Sequence, residues 1–137
     1  MIMDTSALLA FFDASDRNSA AVADVVGAAQ EPLVAPPFVV AELDYLVLTS
    51  RGRRAEQAVA DSLASGAWRL APFGLDLMAQ AARCLRQYGD HQIGLTDASI
   101  MVLAQATGPK RVATFDRRHF AFLRFEDGSA PELLPAA

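Results

Sequence analysis

Residues 1–12, Met-Ile-Met-Asp-Thr-Ser-Ala-Leu-Leu-Ala-Phe-Phe, decide the fold. The apolar opening over 1–3 reads as a very short strand that stops at an acid, Asp4. The following 6–12 reads as a helix, with Thr5 or Ser6 placed to cap it. A strand passing into a helix through a single acid opens a βα unit, and the alternation continues. A helix is expected over 17–30, a brief strand over 33–35 closed by Pro36 and Pro37, and a helix over 38–49 that those prolines open. Its apolar stripe is Val39, Leu43, Leu46 and Val47. A more polar helix over 53–65 ends at Gly66. A third strand covers 68–71, and a long helix over 75–88 ends at Gly89. After a polar loop, 89–92, Thr96 is the expected N-cap of a helix over 97–106. A fourth strand over 111–114 stops near Asp116. The last strand is expected at 123–125, since 126–132 reads poorly as one, and Leu133 and Leu134 pack down behind it. Short strands alternating with helices predict an α/β fold with parallel pairing. In such sheets the functional site lies beyond the carboxyl ends of the strands, where strand order reverses. That places Asp4 and Asp116 on one edge.

The bulk properties agree. A chain of 137 residues is expected to form one domain, 1–137. With 53% apolar and 20% charged residues it lies far from the composition of disorder, and its 27 alanines disfavour an all-β fold. The net charge of -4 argues against a general nucleic-acid binder. The charge is unevenly placed, with seven acids and one base in residues 1–50 against nine acids and eleven bases afterwards. Eleven of the twelve bases are arginines, forks suited to carboxylates and phosphates. Cys84 stands alone, so no intrachain disulfide can form, and it is expected as a buried small hydrophobe. There is no secretory-type start and no run approaching the ~20 apolar residues of a membrane span, so a soluble, cytoplasmic protein is expected.

Four acids stand where solvation alone does not explain them. Asp4 ends an apolar strand, Glu42 lies inside Phe-Val-Val-Ala-Glu-Leu, Asp97 opens a helix, and Asp116 ends a second strand. Singly, three have structural readings: Asp4 as a cap, Asp97 as a favoured first-turn acid, Asp116 as a turn starter. Glu42 is expected to be half buried, because its helical neighbours are Phe38, Val39, Tyr45 and Leu46. If the four converge, each pair of charges 4 Å apart costs about 4 kcal/mol at an effective dielectric of 20, so the cluster must protonate or bind cations. All-oxygen ligands favour hard ions, Mg²⁺ or Mn²⁺. Carboxylates holding such ions are the usual apparatus for phosphodiester hydrolysis.

Four segments together carry a family resemblance: Asp4-Thr5-Ser6-Ala7-Leu8-Leu9, Val40-Ala41-Glu42-Leu43, Gly94-Leu95-Thr96-Asp97-Ala98 and Ala113-Thr114-Phe115-Asp116-Arg117-Arg118-His119-Phe120. In order and spacing over nearly the whole chain, the sequence resembles the PIN-domain ribonucleases, in particular the VapC toxins of toxin–antitoxin pairs. The resemblance implies a PIN-like three-layer sandwich, a short central parallel sheet of four or five strands flanked by helices. It implies a Mg²⁺-dependent endoribonuclease, with Mn²⁺ as a substitute, built on the quartet Asp4, Glu42, Asp97 and Asp116. Asp4 and Asp97 would be the principal metal ligands, and Ser6 and Thr96 polar residues supporting the acids. It further implies a homodimer, using apolar faces such as 38–48, and a VapB-like antitoxin that turns an arginine toward the acids. The substrates offered by the family are transfer RNA and the sarcin–ricin loop of large-subunit ribosomal RNA, the latter preferred here.

Residues 110–124 add a local net charge of +4. Either this is a solvated face with His119 packed sideways, or Arg117 and Arg118 hold RNA phosphates beside the acids. Arg51, Arg53 and Arg54 form a second candidate patch. Other readings fit less well. A receiver domain needs a lysine near its acyl phosphate, and Lys110 is at the wrong end of its strand. A dehalogenase-like phosphatase wants an Asp where Ser6 stands. There is neither a Gly-x-Gly-x-x-Gly nor a phosphate loop. A catalytically inactive protein-binding domain remains the alternative, against which stands the retention of all four acids.

Overall fold

The computed structural model describes residues 1–108 and 110–136. Its elements run β1 (Ile2–Met3), α1 (Thr5–Phe12), α2 (Ser19–Ala28), β2 (Val34–Ala35), α3 (Pro37–Arg51), α4 (Arg53–Ala64), β3 (Arg69–Leu70), α5 (Leu75–Gln87), α6 (Leu95–Thr107), β4 (Arg111–Ala113), α7 (Arg117–Phe120) and β5 (Glu132–Leu134). A single 3₁₀ turn, Gly89–His91, lies between α5 and α6. The strands form one parallel sheet in the order β3-β2-β1-β4-β5.

Strand order reverses between β1 and β4. The chain winds outward from β1 through β2 to β3, then crosses back to place β4 on the other side of β1, in register Ile2↔Val112 and Met3↔Ala113. The central strands are buried on both faces, as parallel strands covered by helices must be, whereas both residues of the edge strand β3 are exposed. Ile2, Met3, Leu8, Leu43, Ile100, Val112 and Phe120 are almost wholly removed from solvent and join sheet and helices in one core. Small residues, Ala81 against Ala98 and Val102, bring α5 onto α6. Pro37 opens α3, as its fixed φ and missing N–H allow. Gly52, at φ 88°, ends α3 and begins α4, a turn that a side chain would strain. Among the described residues no helix is long and apolar enough to cross a membrane.

The expected α/β sheet is present, with two corrections. Residues 123–125 are not a strand. Leu123 and Phe125 are buried as core anchors from a loop, and the fifth strand is Glu132–Leu134, parallel to β4. Thr96 does not cap α6, which begins two residues earlier than expected, at Leu95, with Gly94 at its N-cap. The Gly94 N–H donates to Asp97 Oδ2 at 3.4 Å, so the first-turn acid supplies the closing contact. Cys84 is partly rather than fully buried, beside the α5–α6 seam.

Candidate active site

Asp4 leaves β1 at the middle of the sheet, one residue past the last strand pair. Its N–H still donates to the Ala113 carbonyl (2.9 Å) and its own carbonyl accepts from Ala7 and Leu8, so the residue is held by β4 behind and α1 ahead. Its carboxylate is 6% exposed at residue level and satisfied on both oxygens. Oδ1 accepts from the Thr5 N–H at 2.7 Å. Oδ2 accepts from Thr114 Oγ1 at 2.6 Å and from Ser6 Oγ at 3.2 Å. The same two hydroxyls accept from the backbone, Thr114 Oγ1 from the Asp116 N–H and Ser6 Oγ from the Phe115 N–H, each at 2.9 Å. Thr114 directs its one proton to Asp4, and Ser6 Oγ stands 3.2 Å from both Asp4 Oδ2 and Thr114 Oγ1. Thr114 thereby fixes the Asp4 carboxylate and the turn that presents Asp116.

Asp97, in the first turn of α6, is 8% exposed, and Asp116 is half exposed beyond β4. The imidazole of His119, from α7, stands between them, with Nδ1 3.3 Å from Asp97 Oδ2 and 3.2 Å from Asp116 Oδ2. Glu42 projects from α3, and its Oε2 accepts from Thr96 Oγ1 at 3.4 Å. These side chains meet in one cleft of about 370 Å³, lined by Asp4, Glu42, Asp97 and Asp116 with Thr5 and Gln92. All four predicted acids, and both supporting residues Ser6 and Thr96, therefore border a single space at the β1/β4 reversal.

Burial pushes the Asp4 carboxyl up from its ordinary range; its three hydrogen bonds oppose the rise and the charge of Glu42 adds to it. Asp97 is likewise raised, first by burial. His119 and the Gly94 N–H oppose that shift, and the charges of Asp4 and Asp116 reinforce it. Acids raised by loss of water and by one another are a site short of positive charge. A second sign is at Thr5, which lines the same cleft and whose Oγ1 is buried without a hydrogen-bond partner among the described residues. An all-oxygen donor set with an orphaned hydroxyl fits a hard divalent cation. As the side chains stand, with imidazole between Asp97 and Asp116, no three ligating groups among the described residues close on a common point.

Three expectations are revised. Glu42 is exposed rather than half buried, because α3 turns Val39, Leu43 and Val47 to the core and leaves Glu42 on the open wall of the cleft. His119 is not packed sideways; it faces two of the acids. Arg51 and Arg53 are engaged, Arg51 with Asp13 and Arg53 with Glu56, and neither they nor Arg54 line the cleft. Arg117 donates to the Pro135 carbonyl at 3.0 Å, while Arg118, also on α7, meets no carboxylate among the described residues. Thr114 and Gln92 were not singled out from sequence. Thr114 had a signal, a hydroxyl at the end of a buried strand two residues before Asp116. Gln92, in the left-handed region at φ 57°, had none.

Residues 1–126 match the PIN domain family. The chain is 47% identical over 135 residues to ribonuclease VapC26 of Mycobacterium tuberculosis, covering 98% of this chain and all of that protein. Among solved structures it resembles Mycobacterium tuberculosis VapC20, a sarcin–ricin loop cleaving toxin, with a TM-score of 0.74 and 22% identity over 81% of this chain and 85% of the other. It also resembles a chain of a toxin–antitoxin complex from Klebsiella pneumoniae, with a TM-score of 0.68 and 17% identity over 89% and 91% of the two chains. For FitAcB from Neisseria gonorrhoeae the TM-score is 0.66, with 22% identity over 88% and 91%.

Proposed function

The chain belongs to the PIN-domain family, among its VapC ribonucleases, and from that footing we propose that it is a Mg²⁺-dependent endoribonuclease, the toxin of a toxin–antitoxin pair acting in the cytoplasm. The observation that carries the reading is the convergence of Asp4, Glu42, Asp97 and Asp116 on one cleft, two of them with carboxyls raised by burial and mutual repulsion. Asp4 and Asp97 are the principal ligands proposed for the ion, with Glu42 and Asp116 completing the set. When bound, Mg²⁺ or Mn²⁺ supplies orientation and acidification of an attacking water and stabilises the leaving oxygen. The chain's own part is positioning. Thr114, Ser6 and the Thr5 N–H fix the Asp4 rotamer, the Gly94 N–H fixes Asp97, and Thr96 restrains Glu42.

Structured RNA is the proposed substrate class, with the sarcin–ricin loop and transfer RNA the two to test. An antitoxin bringing an arginine to the acids would silence the site by a charge-assisted pair. A homodimer is proposed through the α3 face, where Tyr45 is 65% exposed beside an apolar groove formed with α4 and β3. The test is antitoxin-free protein incubated with total bacterial RNA plus Mg²⁺, Mn²⁺ or EDTA, with the new ends sequenced. Discrete cuts that vanish in EDTA are expected; intact RNA under every condition refutes the reading.

Arg118 is the proposed phosphate contact beside the acids. Arg118→Ala is expected to weaken RNA binding about fivefold and lower the salt slope by about 1, while leaving the metal-induced rise in melting temperature intact. Identical binding across a salt series removes that role.

A further inference from the structure

A second concavity, of about 380 Å³, lies between α5, α6 and the segment after α7. Its volume falls within the roughly 300–1,000 Å³ of small-ligand pockets. The lining is rich in groups that read nucleotides: the amides of Gln80, Gln87 and Gln105, the guanidiniums of Arg83 and Arg124, and the ring of Tyr88. Amides both donate and accept, as base edges require, and guanidiniums match phosphates. Neither arginine has a carboxylate partner among the described residues. Among the described residues the Arg124 guanidinium donates only to the Ala121 and Leu123 carbonyls, and Glu126, the one acid of the lining, pairs with neither arginine.

A run of neighbouring rings leads from this pocket toward the acidic cleft. Tyr88 lies 6.0 Å from Phe122 and 6.3 Å from His91, ring to ring, and its hydroxyl accepts from the Arg124 N–H at 3.2 Å. His91 stacks on Phe122 at 4.0 Å and 22°. The next residue after His91, Gln92, lines the cleft, and Phe122 follows the helix that carries His119 into it. Unpaired cations beside aromatic faces are the usual makings of a single-strand RNA groove.

We propose that this pocket holds a nucleotide of the RNA strand flanking the cleaved bond. The strand leaves the acidic cleft across the His91–Phe122 stack, sets a base against the three glutamines and a phosphate on Arg83 and Arg124. The proposal rests on the ribonuclease reading for its substrate, but its test does not depend on cleavage.

A fluorescent random-sequence RNA pool of roughly 12 nucleotides is titrated onto the whole chain in EDTA, across a salt series. Arg83→Glu is expected to weaken binding about tenfold or more and lower the salt slope by about 1. Gln87→Ala is expected to weaken binding about threefold with no change in slope, since an amide releases no counterions. Arg69→Glu, on the exposed edge strand β3, is expected to bind as the parent does. Arg83 is exposed and has no carboxylate partner among the described residues, so its variant should melt with the parent chain. Equal binding by Arg83→Glu, or an equal loss in Arg69→Glu, overturns the pocket. So does an Arg83→Glu variant that changes oligomeric mass while binding RNA normally, which makes this face a protein interface. If the binding pattern holds and no chain cleaves RNA with Mg²⁺, the nuclease reading fails and the pocket stands. If Arg83→Glu cleaves with unchanged KM, the pocket fails and the nuclease reading stands.

Discussion

Asp4→Asn and Asp97→Asn each lower RNA cleavage by about a thousandfold or more, and Asp4→Asn at the same time raises the melting temperature of the metal-free protein. Both effects come from one cause. Burial raises the Asp4 carboxyl in the folded chain, so the native state holds its proton more tightly than the unfolded state does. Above the raised pKa the carboxylate is ionised in both states and the full cost of burying it is felt. As pH falls through the raised value toward the ordinary carboxylate range, that cost disappears. Metal-free protein therefore gains stability on mild acidification, until other carboxylates titrate. Asparagine removes the cost at every pH, giving a rise of about 3–5 °C near neutrality. Its amide oxygen can keep the Thr5 N–H bond, while the Ser6 and Thr114 hydroxyls lose a carboxylate acceptor, which offsets part of the gain. Saturating Mg²⁺ or Mn²⁺ reverses the order, because a ligand at a hundred times its Kd stabilises the parent by about 2.7 kcal/mol and the variants hardly at all. Thermal melts from pH 4.5 to 8, with and without metal, run beside cleavage gels, make the comparison. Either variant cutting RNA as fast as the parent, or an Asp4→Asn chain that melts lower without metal, refutes the assignment.

Thr114→Val carries the second large effect. Thr114 is fully buried, donates to Asp4 Oδ2 and accepts from the Asp116 N–H, so one hydroxyl serves both acids at the strand ends. Valine keeps the shape but leaves the Asp116 N–H without its acceptor and removes the shorter of the two hydroxyl bonds to a buried charge. Such losses cost about 2–4 kcal/mol in stability. With the Asp4 carboxylate and the Asp116 turn both released, kcat is expected to drop about a hundredfold at saturating metal. Thr114→Ser, which restores the hydroxyl and leaves a small void, recovers most of the rate. Urea unfolding and single-turnover cleavage read the two quantities. A valine variant with parental kcat shows that the network only supports the fold.

The acids were legible because each breaks an apolar pattern: Asp4 and Asp116 stop strands, Asp97 sits where a helix turns inward, and Glu42 interrupts a hydrophobic run. Strand-end acids on a parallel sheet meet at a strand-order reversal, so alternation placed Asp4 and Asp116 on one edge, while grouping Glu42 and Asp97 with them rested on the family resemblance. Residues whose state depends on distant partners were not legible. Glu-Leu-Leu at 132–134 has no strand signature of its own; β4 makes it one. Leu123 and Phe125 look like a strand because they are apolar, but they are anchors set into the core from a loop. Thr96 has the chemistry of a cap, yet Asp97 reaches back to the Gly94 N–H and frees the threonine for Glu42. His119 offered two environments from sequence, and only the fold decides that α7 aims it at the acids.

The pairing of β1 with β4 also sets a timetable for translation. Asp4 is made 110 residues before the threonine that completes its carboxylate, and its β1 strand lacks one neighbour until β4 has been synthesised. Contacts of such separation form late in folding, after the loop between them has closed. A growing chain therefore carries the acid without the site. A ribosome that stalls before Thr114 leaves a fragment unable to assemble the cleft, so the acid waits for the strand that carries its threonine.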